Sequence, residues 1–346
     1  MKFKKIGKTD INVSLICLGT MTWGEQNSQE EAFAQMDYSK EKGINFFDTA
    51  ELYPVPPKSE TYTKTETIIG NWFHEKKNRD QVILATKISG PGPSWIRGGG
   101  MQYFEKSFSK AIEDSLRRLK TDYIDLYQLH WPERNTNYFS KLGYKHDEKE
   151  EEWNSFESIL KILNKFIDQG KIRHIGISNE TPYGLTQFLK ISETYKLPRI
   201  ASVQNPYSLV NRTYEVGMTE ISIRDQVGLL AYSPLGFGVL SGKYLNNQMP
   251  DGSRLKLFSN SFPRYQGTRT SKAVEDYSAV AKKYNLSLTQ MSLAFVNQQE
   301  FITANIIGAT SMEQLKENVD SINVVLNEDI LKDINAIHNE NPNPAP

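Results

Sequence analysis

Only one cysteine, Cys17, occurs in the chain, so no internal disulfide can form and a reducing compartment is expected. Set in Leu15-Ile16-Cys17-Leu18, it reads as a small core residue. Neither charge dominates, since 41 acidic residues balance 41 basic ones. A zero sum offers no broad attraction to phosphate backbones and argues against a nucleic-acid partner. No stretch approaches the ~18 apolar residues of a membrane helix. The start, Met1-Lys2-Phe3-Lys4-Lys5, leads into no apolar signal core, and a soluble, cytoplasmic protein is expected. Familiar fingerprints are missing as well. Gly236-Phe237-Gly238-Val239-Leu240-Ser241-Gly242 has one residue too many for the dinucleotide motif G-x-G-x-x-G, and Tyr244 follows Gly242-Lys243 where a P-loop requires Ser or Thr. The charged run at 145–152 has no ligand spacing and reads as a solvated loop, so no metal is expected.

What is present is a repeat of short apolar run, loop and amphipathic helix. The 346 residues suffice for one large α/β barrel or two ordinary domains. Two short runs around Gly7-Lys8-Thr9-Asp10 suggest a β-hairpin. Strands are then expected at 15–18, 44–47, 82–85, 124–128, 172–176, 200–203, 228–232 and 304–307. The helices between them are expected at 28–42, 64–75, 104–119, 155–169, 182–195, 214–223, 271–284 and 312–319. Ser28 with Glu31 forms a capping box for the first, and Gly43 stops it. Continuously apolar strands are covered on both faces, and regular alternation with helices implies parallel pairing. Eight such units favour a closed (β/α)8 barrel of the TIM type, with an N-terminal hairpin and long rim loops at 54–63, 131–154 and 240–270. One barrel domain is expected over 1–338, followed by a loosely ordered Asn/Pro tail at 339–346.

Three apolar runs end in functional groups. The run 44–47 ends at Asp48, 82–86 at Lys87 and 123–129 at His130, while Tyr53 lies one short loop beyond Asp48. Singly these have ordinary readings: a helix cap, a solvated rim lysine, a packed loop histidine. On neighbouring strand ends of a barrel they converge. Hydride reduction of a carbonyl leaves charge on oxygen and needs a proton donor there. A phenol, with an unperturbed pKa of about 10, is a poor acid unless an ammonium stabilises its anion. The ammonium in turn needs a carboxylate, and an imidazole can hold the carbonyl oxygen. Tyr53 is thus the expected general acid, Lys87 its tuning charge, Asp48 the anchor and His130 the orienting group. A glycosidase would need two carboxylates across a groove; Asp48 and Glu51 qualify by type, but Lys87 then has no role.

The segments Phe47-Asp48-Thr49-Ala50-Glu51-Leu52-Tyr53, Ala85-Thr86-Lys87, Leu129-His130 and Gly176-Ile177-Ser178-Asn179 resemble the signatures of the aldo-keto reductases, over roughly residues 3–338. The resemblance implies an eight-stranded α/β barrel that reduces small carbonyl substrates with NADPH, yielding NADP+. It places the family's tetrad on Asp48, Tyr53, Lys87 and His130. Where many relatives have Gly after the tyrosine, Pro54 stands here with about ten additional residues before Glu66, so substrate preference does not transfer.

Read locally, the Gly-rich segment after strand seven is a phosphate-binding loop of the kind barrels carry there. Ser178 and Asn179 read locally as a helix cap, and Gln314 and Asn318 as a solvated helix face. The resemblance implies more. It puts Ser178, Asn179 and Gln204 on the nicotinamide amide and Tyr232 on its ring. By the same resemblance Ser233, Pro234, Leu235, Gly236 and Gly242 match the loop that wraps the pyrophosphate, with Gly238 and Leu240 also among the expected cofactor residues. Lys243 and Arg254 match cations near the adenosine phosphate, Thr310, Gln314, Glu317 and Asn318 match the group that holds the adenosine half, and Gly308 is a further expected cofactor residue. Gly19, Thr20 and Met21, after the first strand, complete the cofactor set with Asp48. Many relatives have Arg where Gln314 stands, so that part of the phosphate clamp is weaker here, while Lys243 with Arg254 supports NADPH over NADH. A second reading is a cofactor-holding regulatory module, since potassium-channel beta subunits resemble the same family. Trp23, Trp95, Trp131 and Phe237 are candidates for an apolar mouth, with core packing as their alternative.

Overall fold

The structure, a computed structural model, describes residues 1–100, 102–150 and 152–346. Strands β1 (Phe3–Lys5) and β2 (Asn12–Ser14) form the expected antiparallel hairpin, with Phe3 opposite Ser14. Eight parallel strands follow: β3 (Ile16–Gly19), β4 (Phe46–Asp48), β5 (Ile83–Ile88), β6 (Ile124–Leu129), β7 (Ile172–Ser178), β8 (Ile200–Pro206), β9 (Gly228–Tyr232) and β10 (Ile302–Ile307). They close in chain order, β10 pairing with both β9 and β3, so the sheet has no edge. The fold is a (β/α)8 TIM barrel with an N-terminal hairpin.

Helices cover the outside because each offers an apolar stripe to the strands. The helix Gln29–Glu41 starts on the Ser28/Glu31 capping box. The helix Pro182–Tyr195 starts on Thr181, with Pro182 in its first turn. At the N-terminal end of the barrel, Ile6, Ile11 and Val13 of the hairpin pack on Cys17, Phe46, Ala85, Leu126, Ala201, Leu230 and Ala304. The expected role of Cys17 as a small core residue is met, since it is fully buried there. The turn comes so close that a Cβ on Gly7, at φ +50°, would lie 2.5 Å from the Ala201 carbonyl oxygen.

Several strands run further than their apolar stretches. β5 continues through Lys87 to Ile88, and β8 through Gln204 to Pro206, because polar side chains at the rim of a barrel still pair through their backbones. The segment 214–223 divides into two short helices, Tyr214–Gly217 and Thr219–Arg224. An additional helix, Leu288–Asn297, precedes β10; each of its residues but Gln290 is buried, so it has no polar stripe to announce it.

The tail is not loose. Its first residues complete the helix Glu328–Glu340, and the rest docks on the barrel. Ala345 is fully buried and donates its amide to the Val210 carbonyl at 3.0 Å. Arg212 donates its amide to Asn343 Oδ1, and Arg269 and Thr270 donate to the Pro342 and Pro344 carbonyls. Backbone carbonyls freed by proline thus find fixed donors. The charged loop is exposed at Lys145, His146, Asp147, Glu148, Lys149 and Glu152, while Glu151 lies outside the described residues. No helix among the described residues is long and apolar enough to cross a membrane.

Candidate active site

β4 ends on Asp48, in register with Ala85 of β5; two residues along, Lys87 is in register with Gln128 of β6. This register carries the three side chains to one mouth, at the C-terminal ends of the strands. A tight turn then returns Tyr53, whose amide bonds the Ala50 carbonyl. Lys87 is fully buried, and its three ammonium hydrogens are directed to Asp48 Oδ2 at 2.7 Å, the Thr49 carbonyl at 2.7 Å and Tyr53 OH at 3.3 Å. The phenol oxygen is therefore an acceptor from Lys87, and its own hydrogen is left for another partner.

Burial pulls the Lys87 ammonium down most strongly, but Asp48 and Tyr53 outweigh it and hold the group above its ordinary value. For Tyr53 the balance differs from the sequence expectation. Burial pushes the phenol up and Asp48 adds to it; Lys87 pulls down without prevailing. The resting group is a protonated phenol with a cation placed to stabilise its anion. His130 meets Tyr53 edge-on with ring centres 5.8 Å apart. Burial, then Lys87, holds its imidazole well below the ordinary range, so it is neutral, and its buried Nδ1 has no partner among the described residues.

Glu51 accepts the Ser89 amide at 2.7 Å and pairs with Arg97, fixing the loop after β5. That loop brings Trp95 against Tyr62 of the 54–63 segment, ring centres 5.0 Å apart, and Ile96 against Leu52 and Trp131. Trp131 thus belongs to an apolar wall beside His130. Trp23 does not: it is fully buried and donates Nε1 to Gln35 at 3.1 Å, a core residue.

A cavity of about 920 Å³ opens beside these groups, lined from the loops after β3, β9 and β10. Of the expected cofactor residues it brings together Gly19, Met21, Ser233, Pro234, Leu235, Gly238, Lys243, Arg254, Gly308, Thr310, Gln314, Glu317 and Asn318. Thr20, Asp48, Ser178, Asn179, Gln204, Tyr232, Gly236, Leu240 and Gly242 do not line it. Ser178, Asn179 and Tyr232 instead form a chain: Tyr232 OH donates to Asn179 Oδ1, Asn179 Nδ2 to the His130 carbonyl, and Ser178 Oγ to the Gln204 carbonyl. Leu240 is fully buried in the core and does not reach the cavity wall. Phe237, a candidate for the apolar mouth, lines this cavity, as do Gln26 and Ser287, which no sequence motif marks.

The cavity is suited to a phosphate-bearing ligand. Its acids are already engaged, Glu25 with Lys58, Asp251 with Lys256 and Glu317 with the Ser287 hydroxyl. Lys243 and Arg254 pair with no carboxylate among the described residues. Arg254 is only 7% exposed, held by the Gln26 carboxamide at 3.1 and 3.2 Å and set over the Phe237 ring. Burial draws its pKa down to about 10. A buried, unpaired guanidinium on a cavity wall is suited to an incoming anion.

The chain belongs to the aldo/keto reductase family, whose model matches residues 15–339. Members of this family are oxidoreductases that generally use nicotinamide dinucleotides. Among individual proteins, the chain is similar to Protein tas of Escherichia coli (strain K12), at 47% identity over 348 residues spanning 100% of both chains. It is also similar to the Bacillus subtilis (strain 168) oxidoreductase YrpG, at 31% identity over 354 residues, covering 97% of this chain and 96% of that protein. An aldo-keto reductase of Babesia bovis is 38% identical over 252 residues, covering 69% of this chain and 88% of that one.

Proposed function

We propose that the protein reduces aldehydes and ketones to alcohols with NADPH, Tyr53 giving the proton. The observation that carries this is the Asp48–Lys87–Tyr53 chain, three buried groups within hydrogen-bond reach at one mouth of the barrel. The bound cofactor supplies a hydride. The protein's part is to receive the carbonyl oxygen and protonate it. Tyr53 OH, accepting from Lys87, directs its hydrogen to that oxygen and passes it over as negative charge develops. The phenolate left behind is stabilised by the adjacent ammonium, which Asp48 and the Thr49 carbonyl hold in place. A raised resting pKa suits this direction: the proton is always present at neutral pH, and Lys87 acts on the anion as it forms. Neutral His130 steadies the carbonyl oxygen.

Preference for the 2′-phosphorylated cofactor rests on Lys243 and Arg254, two cations on the cavity wall without carboxylate partners among the described residues. The deciding experiment is NADPH oxidation with 4-nitrobenzaldehyde or methylglyoxal, with Tyr53→Phe as control. Turnover by the wild type and its loss in the variant support the reading. Tight NADPH binding without any turnover would transfer the case to a cofactor-holding regulatory module. Lys243→Ala should weaken NADPH with little change for NADH, and equal losses for both would remove Lys243 from the phosphate site.

A further inference from the structure

One carboxamide sits at the centre of the charged chain and has no part in the mechanism above. Gln128, in the otherwise apolar stretch Leu126 to Leu129 of β6, is fully buried. Its Nε2 donates to Asp48 Oδ1 at 3.2 Å. Gln204 Nε2 donates to the same oxygen at 2.8 Å and to Gln128 Oε1 at 3.2 Å. These amide orientations are dictated by the chemistry. An ionised carboxylate only accepts, so both glutamines turn their NH2 groups towards it. The second N–H of Gln204 then meets the Gln128 oxygen. Both hydrogens of Gln204 are used, and its Oε1 accepts from no described residue. The neighbouring strand makes room for this arrangement. Gly176 of β7 is in register with Gln128, and a Cβ there would lie 3.2 Å from Gln128 Cγ and 2.9 Å from Ser202 Oγ.

We propose that Gln128 is a positioning residue that links the proton-donating side of the site to the nicotinamide side. By holding Asp48 Oδ1 it leaves Oδ2 to Lys87; by accepting from Gln204 it presents Gln204 Oε1 as a pure acceptor to the carboxamide N–H of a bound nicotinamide. One side chain thereby sets both the ammonium that serves Tyr53 and the acceptor that orients the cofactor ring. This inference rests on the carbonyl-reductase reading and adds to it a residue outside the tetrad.

The test uses purified full-length protein with two substitutions. Gln128→Met keeps size and removes both polar atoms; Gln128→Glu keeps the acceptor and loses the donor until protonated. For Gln128→Met, kcat for 4-nitrobenzaldehyde is expected to fall at least about tenfold, with KM for the aldehyde changed by less than about threefold. NADPH should bind several-fold more weakly, while 2′,5′-ADP, which lacks the nicotinamide, binds as to the wild type. For Gln128→Glu, activity relative to wild type should rise as pH falls, because protonating the introduced carboxylate restores a donor to Asp48. A general packing defect would weaken NADPH and 2′,5′-ADP alike and give no such pH signature, and either result overturns the proposal. So does wild-type kcat in Gln128→Met. If the wild type itself neither binds nor oxidises NADPH, the carbonyl-reductase reading falls and this inference with it.

Discussion

Replacing Arg254 by methionine should make the free protein more stable and its NADPH complex weaker. The guanidinium is 7% exposed, and its neighbours are the Gln26 carboxamide, the Met21 sulfur at 3.7 Å and the Phe237 ring at 5.0 Å. Burial is the main reason its pKa falls from the ordinary guanidinium range to about 10. A depression of that size corresponds to about 3 kcal/mol against the charged form. The sign follows from proton counts: above about 10, and up to the ordinary guanidinium range, the unfolded chain holds the proton that the folded one has lost. Stability therefore recovers only as pH rises through that window, and the whole penalty is in force at neutral pH. Methionine removes it and loses the contacts to Gln26 and Phe237, which offset about 1–2 kcal/mol. A net gain of about 1–2 kcal/mol should raise the melting temperature of the free protein by a few degrees. The complex should move the other way, because a charge-assisted hydrogen bond of about 1.5–3 kcal/mol corresponds to about 10- to 150-fold in affinity. Thermal melts with and without NADPH near neutral pH, together with NADPH titration by fluorescence, measure both. A lower melting temperature for the free variant combined with unchanged NADPH affinity would refute the argument that this guanidinium is held in readiness for an anion.

Other perturbations probe different parts of the site. Lys87→Met leaves Asp48 buried without its cation, so stability should drop by about 3–5 kcal/mol and turnover by orders of magnitude, while NADPH still binds. Adding Asp48→Asn should recover stability but not turnover, read by urea unfolding and steady-state rates; wild-type-like turnover in either variant removes Lys87 from the chemistry. His130, held neutral by burial and Lys87, takes up a proton in the unfolded chain below its ordinary 6.5 but not in the folded one. Stability should therefore fall as pH drops below 6.5, and His130→Gln should flatten that slope; a slope that persists unchanged would disprove it. In an exposed helix, Gly→Ala stabilises by about 0.5–1 kcal/mol. At Gly70, in the helix Lys64–Lys76, the added Cβ would lie 1.9 Å from the Arg118 carbonyl oxygen, and the sign should reverse to a loss of at least about 1–3 kcal/mol in urea unfolding.

The barrel was legible because strands covered on both faces are written as apolar runs, and eight of them alternate with amphipathic stretches. Asp48, Lys87 and His130 were legible because each interrupts or ends such a run. What escaped notice has physical reasons. The helix Leu288–Asn297 is buried on nearly all sides and carries no periodicity to read. The ordered tail depends on donors from Arg212, Arg269 and Thr270, far away in sequence. Gln128 does carry a signal, a lone carboxamide within an apolar strand, since a buried amide requires partners; which partners it finds is set by strands distant in sequence. The net direction of the Tyr53 shift depends on how deeply the phenol is sunk relative to its distance from Lys87, and spacing along a chain contains neither quantity.

The stopper formed by Ile6, Ile11 and Val13 makes the barrel a vessel with a single neck. With that end packed by side chains, the Lys87–Asp48 pair lies beneath the mouth at which ligands arrive, so whatever fills the neck also dries the charges beneath it. Each arriving molecule thereby lowers the local dielectric and strengthens the field that Lys87 exerts on the phenol. The same drying deepens the burial that keeps Tyr53 protonated, so the sealed site holds its proton on the phenol until charge develops on the substrate oxygen, where the strengthened field of Lys87 meets the anion left behind.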